Sequence, residues 1–174
     1  MTIRTLIDFL HLFAIKHPAI LHNDGGMNRF CLNGEDVFTQ SSAISATKLD
    51  IKNYCMIITP TEMDGTIMNN AHDQCFETLN ITVEVAKATK LLDEAAKIEA
   101  QATAKSVLDD LLRELQHALY YRRSPFKPID QFQYPFVGNP TSGGSNNQNM
   151  CGYTRTFKFK IPFLSADTFF QSIL

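Results

Sequence analysis

One short run in this chain brings together side chains able to do chemistry: His72-Asp73-Gln74-Cys75, with an imidazole and a thiol three positions apart. At that spacing the two groups suit a shared zinc ion or a Cys–His nucleophile pair. Zinc needs two further ligands at recognisable spacing, and Cys31, Cys55 and Cys151 form no CxxC pair with Cys75 or with one another. Nucleophilic catalysis needs a thiol activated by a nearby base in a cleft, and each cysteine falls in an expected strand or loop without such a context. Glu94, Glu99, Asp109, Asp110 and Glu114 alternate with Lys90, Lys97, Lys105 and Arg113, which is the pattern of a solvated helix face with i,i+4 ion pairs. Gly143-Gly144 lacks the following Lys-Ser/Thr that a phosphate cradle requires. No catalytic residue, metal ligand or cofactor site is assigned on these grounds.

A second group mixes aromatic and basic side chains: Tyr120, Tyr121, Arg122, Arg123 and Lys127. These suit contact with a phosphate backbone or with an acidic protein surface. The plainer reading is a helix C-terminus whose cations complement the dipole.

Any site must be carried by one folded domain. The chain has 174 residues, 44% hydrophobic and 20% charged with no Trp, which excludes the low-hydrophobicity regime of disorder. A net charge of −2 gives no global field toward nucleic acid or anionic membrane. Contact with nucleic acid is left open and would be local. The N-terminal stretch is amphipathic rather than a signal peptide or membrane span, with Ile3, Leu6, Ile7, Leu10, Phe13 and Ala14 separated by Arg4, Asp8 and His11. The dispersed cysteines read as reduced thiols. Asn80-Ile81-Thr82 matches a glycosylation sequon but falls within an expected strand.

Periodicity places the elements. A first helix is expected from about Ile3 to Lys16, ended by Pro18. A turn follows at Asn23-Asp24-Gly25-Gly26, where glycine accepts positive φ. Arg29–Leu32, Asn33-Gly34-Glu35-Asp36 and Val37–Gln40 read as a hairpin. The unbroken apolar run Tyr54–Ile58 predicts a strand covered on both faces, closed by a turn at Met63-Asp64-Gly65-Thr66. Residues Asn69–Gln74 look like an exposed loop before the next strand.

From Thr78 to Ala86 the period is two, with Leu79, Ile81, Val83 and Val85 facing the core. From Thr89 to Leu119 it becomes helical, with Leu91, Leu92, Ala95, Ile98, Ala102, Val107, Leu108, Leu111, Leu112, Leu115 and Leu119 forming a stripe. One continuous helix is favoured because no Gly or Pro interrupts it, although Ser106–Asp109 fits a capping box that would divide it. Residues 124–150 are too rich in Pro, Gly, Ser and Asn for regular structure and are expected to be a long loop. Tyr153–Phe163 alternates again, with Arg155 as the one charge on its apolar face, and Ser165-Ala166-Asp167 would cap a short helix from Thr168.

The expected fold is a single α+β domain over residues 1–174, a mainly antiparallel sheet in two layers with a long helix and an N-terminal helix. This order resembles the tail-terminator and tail-completion (head-tail joining) proteins of tailed bacteriophages. The resemblance is carried by Leu79-Asn80-Ile81-Thr82-Val83-Glu84-Val85 leading into Leu91–Leu119, then by Gly152–Ile161. It implies a non-enzymatic virion protein, assembled in the host cytoplasm as a homo-oligomeric ring, that contacts tail-tube or connector proteins and no membrane. The candidate contacts are the 124–150 loop and Arg122-Arg123, and deletion of Gly138–Asn149 is expected to block assembly without unfolding the monomer. Two other readings stay open: a soluble adaptor or ligand-binding module whose sheet presents a pocket closed by that same loop, and an enzyme using Cys75 and His72.

Overall fold

The computed structural model describes residues 3–32, 49–64, 76–90, 92–120, 138–143 and 149–162. Helix α1 spans Ile3–Lys16. It is followed by β1 (Phe30–Leu32), β2 (Cys55–Asp64), β3 (Phe76–Thr89), α2 (Glu94–Tyr120), β4 (Gly138–Gly143) and β5 (Asn149–Pro162). The strands make one five-stranded sheet in the order β1-β2-β3-β5-β4. Within it β1 and β2 pair in parallel and the other neighbours are antiparallel, as expected for this α+β chain. The second half of the expected hairpin, Gly65-Thr66, the 69–74 loop and the C-terminal helix lie outside the described residues.

The alternation in β3 sorts the sheet into two faces. Ile81, Val83 and Val85 are buried, and across the register Met56 and Ile58 of β2 and Phe157 of β5 join them. On this face sit both helices: α1 contributes Leu6, Leu10 and Ala14, and α2 contributes Ala104, Val107, Leu108, Leu111 and Leu115. Cys55, Ile57 and Ala86 point to the opposite face and form a smaller cluster with Cys31, Leu49 and Met150. The apolar run in β2 is therefore covered on both sides, as its lack of alternation predicts. Further along this second face the Thr82 and Thr156 hydroxyls are bonded to each other at 3.0 Å.

Several boundaries differ from the sequence expectation for identifiable reasons. β2 runs through Pro60 to Asp64 rather than turning at Met63; among the described residues β1 pairs it as far as Ile58, so Pro60 withholds no N–H from that neighbour. A register shift between Thr61 and Met63 absorbs the irregularity. Within the stretch expected to be wholly irregular, Gly138–Gly143 pairs with β5 as an edge strand. Gly, Pro and Ser weaken strands on average, yet an edge strand needs partners on one side only.

α2 is a single helix of 27 residues. Its cap is Asp93, whose side chain accepts a hydrogen bond from Ala96 N–H at 2.9 Å. The capping box at Ser106–Asp109 is left unused in the helix interior. The expected apolar stripe does not hold at its start: Leu92 and Ile98 are 91% and 66% exposed, while Ala100 and Ala104 are fully buried. Small side chains bring this end of the helix close to its neighbours, and the larger Val107, Leu108, Leu111 and Leu115 fill the core beyond.

Glycine is required at position 152. A Cβ there would lie 2.0 Å from the Val85 carbonyl oxygen and 2.5 Å from the Ala86 Cβ, inside the β3–β5 pair. Gly152→Ala is expected to destabilise the fold by about 3 kcal/mol. Gly26→Ala, where nothing lies within 4 Å, is expected to stay within ~0.5 kcal/mol. Urea unfolding of the two variants beside the parent checks the contrast.

Candidate functional site

The turn after α1 gathers chemistry that sequence spacing did not announce. His17 N–H still bonds the Phe13 carbonyl at 2.8 Å, and His22 N–H reaches back to the Ala14 carbonyl at 3.0 Å. This reversal puts Leu21 at φ 51°, a left-handed conformation that costs a β-carbon-bearing residue on the order of 1 kcal/mol. No described glycine has positive φ, so the strain falls on Leu21 and not on Gly25 or Gly26 as expected. The turn itself is present: Asn23 and Met27 exchange backbone hydrogen bonds at 3.0 Å, and Gly25 N–H bonds Asn23 Oδ1 at 2.9 Å.

In consequence His11 on α1, His22 and Asp24 converge. Both Nε2 atoms address Asp24 Oδ1, His22 at 2.8 Å and His11 at 3.3 Å, and the two rings lie 4.9 Å apart with Phe30 beside them. The hydrogen bond from His22 holds the Asp24 carboxyl below its usual 3.8; burial opposes this, and His11 and His22 add attraction.

Two imidazoles and a carboxylate are a familiar metal-binding set, but the remaining nitrogen of His22 decides otherwise. Arg29 N–H donates to His22 Nδ1 at 3.0 Å, which fixes the neutral ring as its Nε2–H tautomer, a donor toward Asp24. A metal bound through Nε2 needs the reverse, a bare Nε2 and a donating Nδ1–H. The cluster is thus a hydrogen-bonded tie between α1, the turn and β1.

Arg29 is the hub of that tie and is itself buried. Its Nε donates to Asp50 at 3.0 Å and its Nη1 to the Ile20 carbonyl at 2.7 Å, while its own carbonyl accepts Met56 N–H at 2.7 Å. Asp50 is held below the usual carboxylate range, first by Asn53 and then, against the effect of burial, by Arg29.

A second tie fastens the sheet to α2. Arg155, the lone charge on the apolar face of β5, is buried and donates to Asp109 at 2.7 Å and to the Leu108 carbonyl at 3.2 Å. Asp109 therefore does not belong to a merely solvated face: burial raises its pKa, but bonds from Lys105 and Arg155 outweigh that and hold it below 3.8. His17 makes a third link, donating from Nε2 to Asp110 at 3.4 Å while its Nδ1 accepts Ala19 N–H.

Between α1 and α2, beside His17, the surface opens into a groove of about 520 Å³. It is lined by the apolar Phe9, Leu12, Phe13 and Pro18 and by the charged Lys16, Asp110, Arg113 and Glu114. Arg113 is bound to Asp110 at 3.1 Å. Such a volume, apolar on the α1 side and charged on the α2 side, has the dimensions of a binding site.

Cys31, Cys55 and Cys151 are buried and form no disulfide. Burial, with the Glu84 charge adding to it, pushes the Cys55 thiol up to about 12, and its Sγ is bonded to the Ala86 carbonyl. Thr89 donates to the Cys151 sulfur at 3.2 Å. Of the residues singled out from sequence, Tyr120 is the last residue of α2. Tyr121, Arg122, Arg123, Lys127, His72 and Cys75 lie outside the described residues.

Three outcomes follow from this geometry. Zinc added in excess is expected to leave the thermal midpoint of the protein unchanged, and a clear rise in a calorimetric scan that His22→Ala abolishes would show that His22 can turn a bare Nε2 toward the ion. Asp109→Ala strands the Arg155 guanidinium and is expected to cost about 2 kcal/mol, whereas Arg155→Met, which removes the charge and keeps the packing, should cost under ~1 kcal/mol. Because the folded pKa of Asp109 is lowered, its stabilisation is complete above 3.8 and disappears as pH falls through the folded value, so the parent and Asp109→Asn should converge in stability in strong acid. No family model and no curated protein matches the chain.

Proposed function

We propose that this chain is a structural subunit of a tailed phage particle, of the tail-terminator or tail-completion kind. It assembles into a ring at the head-tail junction, contacts tail-tube or connector proteins there, and does no catalysis. The observation that supports this reading most is the architecture: a mainly antiparallel sheet with α1 and α2 on one face and β3 running into a single long helix. That is the element order on which the resemblance rests, and fold-level likeness is an associational warrant for function. The chemistry of the described histidines and cysteines agrees with it, because His17, His22, Cys55 and Cys151 are each engaged in internal hydrogen bonds. A closed ring requires a heterologous contact repeated about an axis, and Arg122-Arg123 directly after α2 are the proposed contact residues.

The second reading, a ligand-binding module, is favoured by one observation, the 520 Å³ groove. It differs from the sequence expectation in place, since the groove lies between the helices and not over the sheet.

β4 changes how the ring is tested. Deleting Gly138–Asn149 would remove a sheet strand along with the loop, so loss of assembly in that variant would not isolate a contact. Reversing Arg122 and Arg123 to Glu is the cleaner experiment. Electron microscopy of the concentrated protein is expected to show closed rings that the double reversal abolishes, with an unchanged circular dichroism melt. A parent protein that forms no ring, alone or with isolated tails, would overturn the role.

A further inference from the structure

We propose that the α1–α2 groove is an isologous contact between two copies of this chain, in which Leu12 of each copy enters the groove of the other and Lys16 of each faces Glu114 of the other. The groove supplies both halves of such a contact. Phe9, Phe13 and Pro18 give it an apolar lining with room for more than one branched side chain, and Leu12, which lines it as well, is 46% exposed and available to a facing copy. Apolar surface left in water next to a concavity is stabilised by mutual insertion, at about 25 cal/mol per Å² buried.

The charges select the occupant. Asp110 is paired within the chain with Arg113 and accepts a hydrogen bond from His17. Lys16 at the end of α1 and Glu114 on α2 are both exposed, form no ion pair among the described residues, and stand on opposite walls of the same groove. A two-fold axis through the groove carries each wall onto the other, so one rotation converts two unused charges of opposite sign into two intermolecular pairs. An acidic or a basic partner would satisfy one wall and leave the other facing a like charge. A second copy satisfies both.

This contact goes beyond the ring and does not depend on it, and the test keeps the two apart by using the chain in which Arg122 and Arg123 are reversed. Light scattering on that chain is expected to report a dimer. K16E and E114K, each added singly, place like charges across both pairs and should weaken dimerisation at least tenfold. An equimolar mixture of the two should restore the dimer, because the carboxylate introduced by K16E in one copy then meets the amine introduced by E114K in the other, while the second pair keeps its native Lys16 and Glu114. L12E should give a monomer with an unaltered thermal melt, which separates loss of the interface from loss of the fold. A chain that stays monomeric at every concentration, or a dimer indifferent to both charge reversals, would overturn the proposal.

Discussion

The structure depends on the pairing of β3 with β5. The two strands are matched over their whole lengths, from Phe76 against Pro162 to Thr89 against Asn149, and β2, β4 and α2 are positioned from one or the other of them. β2 lies on the far side of β3, β4 lies on the far side of β5, and α2 leaves β3 through Asp93 to lie over the face that Ile81, Val83, Val85 and Phe157 share. A pairing this long is sensitive to register, because a slip of one residue would turn the apolar set of β5 toward the opposite face. Gly152 fixes the register sterically, since the approach of the Val85 carbonyl admits no side chain at that point.

The charges inside the protein extend that constraint to the helices. Arg155 joins β5 to α2 through Asp109 and the Leu108 carbonyl, Arg29 joins the turn after α1 to Asp50 and β2, and His17 joins the end of α1 to Asp110. Each tie spans segments distant in sequence. Hydrophobic contact between a helix and a sheet tolerates sliding, whereas a short hydrogen bond from a guanidinium to a particular carboxylate does not. Buried ionic groups add little net stability compared with apolar replacements of similar volume, and what these three add is a fixed point of contact between distant segments.

The period-two strands and the long helix were legible because burial on one face imposes a repeat on the sequence, and Ile81, Val83 and Val85 follow it. The beginning of α2 was not legible, because alanines at 100 and 104 mark the buried face there while the larger Ile98 points outward and Leu92 stands exposed before the cap. β4 escaped because pairing on an edge is decided by the neighbour and not by the strand's own Gly, Pro and Ser. Of the candidate sites, Arg155 was visible as an exception in an apolar stripe, although its partner was not. The His11–His22–Asp24 cluster gave no sequence signal, since it arises from the reversal at Leu21, which neither spacing nor propensity announces.

The groove follows from these same constraints. α1 is held against the sheet through Leu6, Leu10 and Ala14, and its last turn is stopped by Pro18 while His17 reaches across to Asp110. That link spans the gap at the level of one side chain, so the helices meet there through polar atoms instead of interlocking apolar ones. Phe9, Leu12 and Phe13, one turn further back on α1, consequently look across at the charged face of α2, at Asp110, Arg113 and Glu114. A concavity with an aromatic floor is what remains. It is maintained by the tie that keeps α1 in place, and it can be filled only from outside the chain's own helix pair.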